Sequence, residues 1–479
     1  MEIADLATPL YCVIMRSLLP VAVLASAYLH AADPFDGINP AGSAERVVLE
    51  AVRNHLPADV SRQPDRTVRL TFLRDLGART QEKISISGAF VSDAPRPPDL
   101  RARGINIPGG LSLSDCVLPY VFLAESKLGS LTFSGCKMPG IQLESVHVAT
   151  SLSFESCDLE GQGILIIGGD AGDEMFVDTS AGSSVWIVNV SKVPKLFVGG
   201  NAAKVRIEQS TFSSLSLIPR RGHVFDSLAI RQVTVDGVLS LSGVDAKSID
   251  LSLSTIASFD WRRANDTWPD ELLIDGTQIK SLRVQYDLLN YRVAPSEELH
   301  RNALDFLTHA KYSASAFTNY EQSLTDRGRS LEANETAFTM HEKWRATQFD
   351  CSWQASPGHC LWTTTIRLPQ VFFDLVQEYG FGYGRTVQTP LLWSAVIVLF
   401  GFGVFRSEDL MQPKTDKHPT PYSRWWYSFE LFLPVVDLGV AKDWRPKPGW
   451  RSTYARIHQL AGWLLIPVAI AALTGGFKK

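Results

Sequence analysis

Apolar residues recur every fifth position through the middle of the chain, at Leu113, Leu118, Leu123, Leu128, Phe133, Met138, Leu143 and Val148. A second column runs two residues earlier in each unit, through Leu111, Cys116, Val121, Ser126, Leu131, Cys136, Ile141 and Val146. A period of five is neither the 3.6 of a helix nor the 2.0 of a flat strand. It suits a square coil in which each side takes five residues, two alternate residues point inward, and the chain turns at the corner. Four sides make a coil of about twenty residues, and coils stack about 4.8 Å apart as neighbouring strands do. After a one-residue slip the count resumes at Phe154, Leu159 and Ile164, and it returns at Ile207, Phe212 and Leu217, then at Ile230 and Val235. It runs again through Leu241, Ala246, Leu251, Ile256 and Trp261, and ends with Ile274, Ile279 and Val284. The breaks near 92–104, 168–184, 218–226 and 262–271 are expected to be loops thrown out from the coil.

The units Cys116-Val-Leu118-Pro-Tyr and Cys136-Lys-Met138-Pro-Gly resemble the motif of the pentapeptide-repeat family, with a small residue two before a central Leu, Phe or Met. The resemblance covers roughly residues 84–285. It implies a mainly β fold, a right-handed quadrilateral β-helix. Cys116, Cys136 and Cys157 take the small inward position and should stack on one inner wall. Cysteine there serves as a small buried hydrophobe rather than as a metal ladder.

A chain of 479 residues with net charge −4 has room for two or three domains, and its charge does not call for nucleic acid. Six cysteines are too few for a disulfide-dense scaffold. Residues 1–32 form a leader. From Met15 it reads as a secretory signal peptide, with Arg16, an apolar run from Leu18 to Leu29 and small residues at Ala31 and Ala32. The preceding Met1, Glu2 and Asp5 leave an uncleaved anchor or a buried helix as the other readings. Residues 33–83 are expected to cap the solenoid with helix, and 84–285 to be the solenoid.

After Val284 the pattern turns helical. Pro295, Ser296, Glu297 and Glu298 mark a helix start, and 286–350 is expected to be a helical hairpin that caps an otherwise open strand edge. Within 351–388, Cys351 and Cys360 flank Ser356, Pro357 and Gly358 and would pair as a disulfide in an oxidising compartment. The stretch from Leu368 to Tyr379 reads as an amphipathic helix lying on a membrane surface. Two uncharged apolar runs, 389–405 and 457–477, are expected to be transmembrane helices. The basic residues between them, including Arg424, Arg445, Arg451 and Arg456, would face the cytoplasm by the positive-inside rule. That places the solenoid in the periplasm at a bacterial inner membrane, with a cytoplasmic solenoid as the alternative.

The inter-span loop 406–456 holds an aromatic helix that stops at Pro434, followed by Val436, Asp437, Leu438 and Gly439. The order of span, short helix, loop and span resembles the pore unit of two-span cation channels. That resemblance implies a re-entrant loop over 422–439, although Asp437 and Leu438 stand where a potassium filter has Gly and Tyr. The sequence carries no dinucleotide, phosphate-loop, serine-hydrolase or zinc-protease motif. The expectation is therefore a membrane-anchored binding scaffold with no catalytic, cofactor or metal site. Its partners would be the lipid bilayer, an unidentified protein and further copies of itself, with no nucleic acid. The alternative is a cation channel or channel-derived sensor.

Overall fold

The computed structural model describes residues 33–92, 99–160, 162–180, 182–191, 193–263, 267–285, 295–348, 357–384, 388–414, 419–433 and 436–473. The chain divides into two compact units, Met1–Ser323 and Leu324–Lys479. The leader 1–32 and Cys351 lie outside the described residues, as does the side chain of Cys360.

The first unit is a parallel β-solenoid of about 10 turns. Its strands stack into a 12-stranded, a nine-stranded and a four-stranded sheet. Leu131 sits over Leu111 and under Leu152, and Phe133 sits over Leu113 and under Phe154. Isolated parallel bridges link Val117, Lys137 and Asp158 and supply the fourth side of the early coils. All the five-period positions point inward as the pattern requires and are buried, apart from the half-buried Ala246. Phe133 and Phe154 stack face to face at 5.3 Å.

Corners are where the chain departs from ordinary backbone. The residue just after each strand of the nine-stranded sheet, or three after it in the last two coils, is left-handed: Gly104, Glu125, Ser145, Gly168, Asn189, Gln209, Gln232, Leu253 and Gly276. A non-glycine there costs about 1 kcal/mol or more. Repetition stabilises the conformation because the next residue turns inward and is satisfied. The buried hydroxyls of Ser126, Ser210 and Ser254 accept the amides of Ile105, Val190 and Val233 from the coil before.

Three of the expected loop segments carry strands of the coil, the first being Asp99–Arg103 within 92–104. The strand Glu174–Thr179 pairs with Ser151–Cys157 on one side and Val193–Gly200 on the other, inside the segment 168–184. Near 218–226 the chain makes a turn and re-enters at Val224–Phe225. The period of five fades because later coils merge two sides into one long strand, such as Thr211–Pro219, Thr234–Ser242 and Thr255–Arg262. Register shifts between Phe212 and Leu215 and between Val235 and Val238 replace the sharp corner.

Helices cover both ends of the coil. Helices α1 (Ser43–Arg53) and α2 (Leu70–Gly77) bury Val48, Leu49, Phe72, Leu73 and Leu76. The Glu45 carboxylate, fully buried, accepts from Arg69 at 2.8 and 2.9 Å. At the other end α3 (Ser296–His309) lays Phe306 against Phe259 and Trp261, and Asn302 donates to the Val284 carbonyl. Next comes α4 (Ala314–Asp326), within which the chain passes to the second unit.

The second unit is helical: α5 (Ser330–Gln348), α6 (Pro357–Phe381), α7 (Gln388–Val404), α8 (Arg424–Phe432), α9 (Val440–Asp443) and α10 (Trp450–Leu473). Here the expectation of two transmembrane helices is overturned. Among the described residues no helix is long and apolar enough to cross a membrane. Helix α7 has 17 residues, about 26 Å at the helical rise, against roughly 30 Å of hydrocarbon. Helix α10 has 24 residues, but Arg451, Arg456, His458 and Gln459 occupy its first half. The two spans from which the positive-inside orientation was drawn are not found among the described residues.

Candidate interaction surface and buried polar centre

In a solenoid the residue between two inward ones must point out, so a stack of strands writes a column of side chains on the outer face. On the nine-stranded sheet that column reads Arg101, Phe122, Gln142, Leu165, Trp186 and Arg206, each paired with the next across adjacent strands. Phe122, Gln142 and Leu165 are half-buried and Trp186 is exposed. A guanidinium closes each end. Arg101 lies over Phe122 at 5.9 Å and Arg206 over Trp186 at 5.6 Å. Arg206 also pairs with Glu208 at 2.9 Å. Ile167, exposed two residues beyond Leu165, widens the apolar stripe. The two aromatic rings stand three strands apart, about 14 Å.

A smaller feature of the same unit is a cavity of about 220 Å³ walled by Val224, Asp245, Lys247, Trp261, Trp268 and Asp270. Trp268 stacks on His309 at 4.4 Å and carries the Arg263 guanidinium at 4.0 Å. Lys247 is held by Asp226 at 2.7 Å. Among the described residues no group of three His, Cys, Asp or Glu is placed to hold a metal ion.

The three inward cysteines are free and buried. Their thiols donate to backbone carbonyls, Cys116 to Ser114 at 3.2 Å, Cys136 to Leu113 at 3.2 Å and Cys157 to Phe133 at 3.5 Å. Burial pushes the Cys157 thiol up to about 12, so it behaves as an inert apolar group.

The helical unit gathers charge inside itself. Asp374 of α6 is 7% exposed. One of its oxygens lies 2.8 Å from His341 Nδ1; the other accepts from Arg345 at 2.6 Å and from the Tyr383 hydroxyl at 2.9 Å. Arg345 also pairs with Glu378 at 2.5 Å. Burial and the Asp374 hydrogen bond both push the Tyr383 phenol up. Tyr383 itself is left-handed (φ 50°), and its ring stacks on His341 at 4.0 Å. This residue lies in Gly382-Tyr-Gly384. The available signal was the pair of acids, Asp374 and Glu378, one helical turn apart among the apolar residues of 368–379.

The segment likened to a pore loop is a turn. Pro434 lies outside the described residues. The Val436 amide donates to the Leu433 carbonyl at 3.0 Å. Asp437 is exposed and paired with Lys442, which holds its carboxyl below the usual range. Leu438 is exposed, and Gly439, left-handed at φ 82°, opens the single turn α9. The buried Glu430 organises this turn, accepting the amides of Gly439 at 3.2 Å and Ala441 at 2.9 Å. Among the described residues neither helix flanking it is long and apolar enough to cross a membrane, so the two spans of the pore resemblance are not found.

His458 of α10 is buried against Ser428 and Tyr454. Its Nε2 lies 2.9 Å from the Ser428 carbonyl and its Nδ1 3.1 Å from the Tyr454 hydroxyl. Burial holds the imidazole below its ordinary value. A depressed histidine contributes stability that is present above the unfolded value, about 6.5, and is lost as pH falls through the folded one. In urea titrations, the stability advantage of the native chain over a His458→Gln variant is expected to shrink steadily from pH 7 to pH 5. An advantage that stays constant or grows toward acid would contradict this.

No family model matches the chain, and no curated protein or solved structure matches it. The pentapeptide-repeat and pore-loop resemblances therefore rest on the sequence motifs alone.

Proposed function

We propose that this chain is a binding scaffold whose solenoid displays its nine-stranded face to an extended polypeptide segment with an apolar centre and acidic flanks. The carrying observation is the stripe from Phe122 to Trp186, closed at each end by an arginine stacked on the terminal aromatic. Aromatic and arginine side chains are the residues that most often anchor interfaces. A solenoid holds them on a rigid ladder, so little ordering entropy is lost when a partner docks. An extended segment laid across the strands can seat alternate apolar side chains between the rings. Acidic residues at its two ends would meet Arg101 and Arg206. Catalysis is not part of this proposal.

The test places a photo-reactive amino acid at Leu165 in the full chain, expressed in its own cell, with a second at Thr132 on the 12-stranded face as control. A discrete adduct is expected at Leu165 alone. Its cross-linked peptide should carry Asp or Glu on both sides of an apolar centre, and the double reversal Arg101→Glu, Arg206→Glu should remove it. No adduct at Leu165, or one indifferent to the charge reversal, would overturn the proposal.

A further inference from the structure

Around an apolar cluster of Val404, Phe405, Met411, Tyr427 and Trp444, the helical unit buries several polar side chains while large apolar ones face outward, and three helices repeat this pattern. On α6, Asp374 is buried while Phe372 and Phe373 are 65% and 63% exposed. On α8, Ser428 and Glu430 are buried while Trp425, Trp426 and Phe429 are exposed. On α10, His458 is buried while Ile457, Leu460, Trp463 and Leu464 are exposed. Helix α7 has no polar face at all, and Leu391, Leu392, Trp393, Leu399 and Phe400 stand exposed along it. A surface in water does the reverse, and contiguous apolar patches beyond a few hundred Å² mark an interaction site.

Which medium faces this surface follows from what borders it. Exposed tryptophans at 393, 425, 426, 450 and 463 suit the boundary between hydrocarbon and headgroup. The same region carries Arg424, Arg445, Lys447 and Arg456 exposed, which complements anionic headgroups. Arg424 lies over the Phe402 ring at 4.0 Å, a charged group resting on an aromatic one. A protein partner would need to match several helices that are apolar on their outward sides, whereas a lipid surface requires no shape match. No described helix is both long and apolar enough to cross, so these helices are placed part way into a bilayer.

We infer that the helical unit is a monotopic anchor that seats its apolar helix faces in one leaflet of an anionic bilayer without crossing it. The inference does not depend on the solenoid face, and either can fail alone.

The full chain is synthesised cell-free in the presence of phosphatidylcholine vesicles, with and without phosphatidylglycerol, and floated through a density gradient. Flotation is expected with both compositions, at least tenfold more with phosphatidylglycerol at low salt. Once bound, the protein should resist a high-salt wash. The exposed-site variant Phe372→Glu, Phe373→Glu, Trp463→Glu should lose flotation at least tenfold while its helical circular dichroism is retained. Topology gives a second readout that does not depend on how that variant folds. Single cysteines placed at Gln412, Lys447 and the C-terminus should all react with an impermeant maleimide added outside. Protection of any one of them, which places chain on both sides, would overturn the one-leaflet seating. Failure to float, or a stable dimer in solution that buries the apolar faces instead, would overturn the anchor altogether.

Discussion

Replacing Asp374 with alanine is expected to destabilise the helical unit by about 3–5 kcal/mol, the usual cost of removing one partner from a buried charge cluster. Three groups converge on this carboxylate: the His341 ring, the Arg345 guanidinium and the Tyr383 hydroxyl. Arg345 would keep Glu378, but the half-buried His341 and Tyr383 would lose their acceptor. Tyr383 should respond most. Its left-handed backbone is strained for a bulky residue, and it is held in place by the hydrogen bond to Asp374 and the stack on His341. Asp374→Asn keeps an acceptor without the charge and should fall between the native chain and the alanine variant. Urea unfolding of the full chain, followed by helical circular dichroism, measures both. A loss below about 0.5 kcal/mol for Asp374→Ala, the range of ordinary surface changes, would show that the cluster does not hold the unit together.

The solenoid was legible in the sequence because its physics is local and repetitive. Each five-residue side places two residues inward, and nothing far away in the chain can alter that parity. Ser126 illustrates how strong the signal is. A serine in the apolar column looks like an error, yet it is fully buried and satisfies the Ile105 amide of the coil before. The later coils were harder to read because long strands with bulges, as at Phe212 and Leu215, shift the count without leaving the sheet.

The helical unit was misread for a different reason. Residues 389–405 and 457–477 are apolar enough to suggest spans, but composition does not reveal where a helix begins. Helix α10 begins at Trp450 and spends its first turns on polar residues. Asp374, Glu430 and His458 were missed because none of them belongs to a spacing motif. Their roles come from groups up to 33 residues away in the chain, as between His341 and Asp374. The outer stripe was equally hidden. Phe122 and Trp186 look like scattered aromatics until the register stacks their strands.

That register has a consequence that period alone does not. Leu152 sits directly over Leu131, so residues 131–151 are one complete coil. Excising them joins Ser130 to Leu152 and leaves every later strand beside its former type of neighbour, because each coil contacts only those next to it. Excising five residues, 141–145, removes one side. It preserves the alternation of inward and outward residues perfectly, yet it rotates everything downstream by a quarter turn. Strands of the 12-stranded sheet would then stack on the four-stranded sheet and those of the nine-stranded sheet on the side bridged through Val117 and Lys137, and the left-handed corners at Gly168 and Asn189 would fall out of line with those at Gly104 and Glu125. The smaller deletion should therefore do the greater damage.

Thermal unfolding of these two deletion variants beside the full chain, followed by β circular dichroism, is the most direct measurement. The expected result is a cooperative β transition for the 131–151 deletion and loss of that transition for the 141–145 deletion. A folded 141–145 variant, or an unfolded 131–151 variant, would contradict a four-sided stack of coils as the organising principle of this protein.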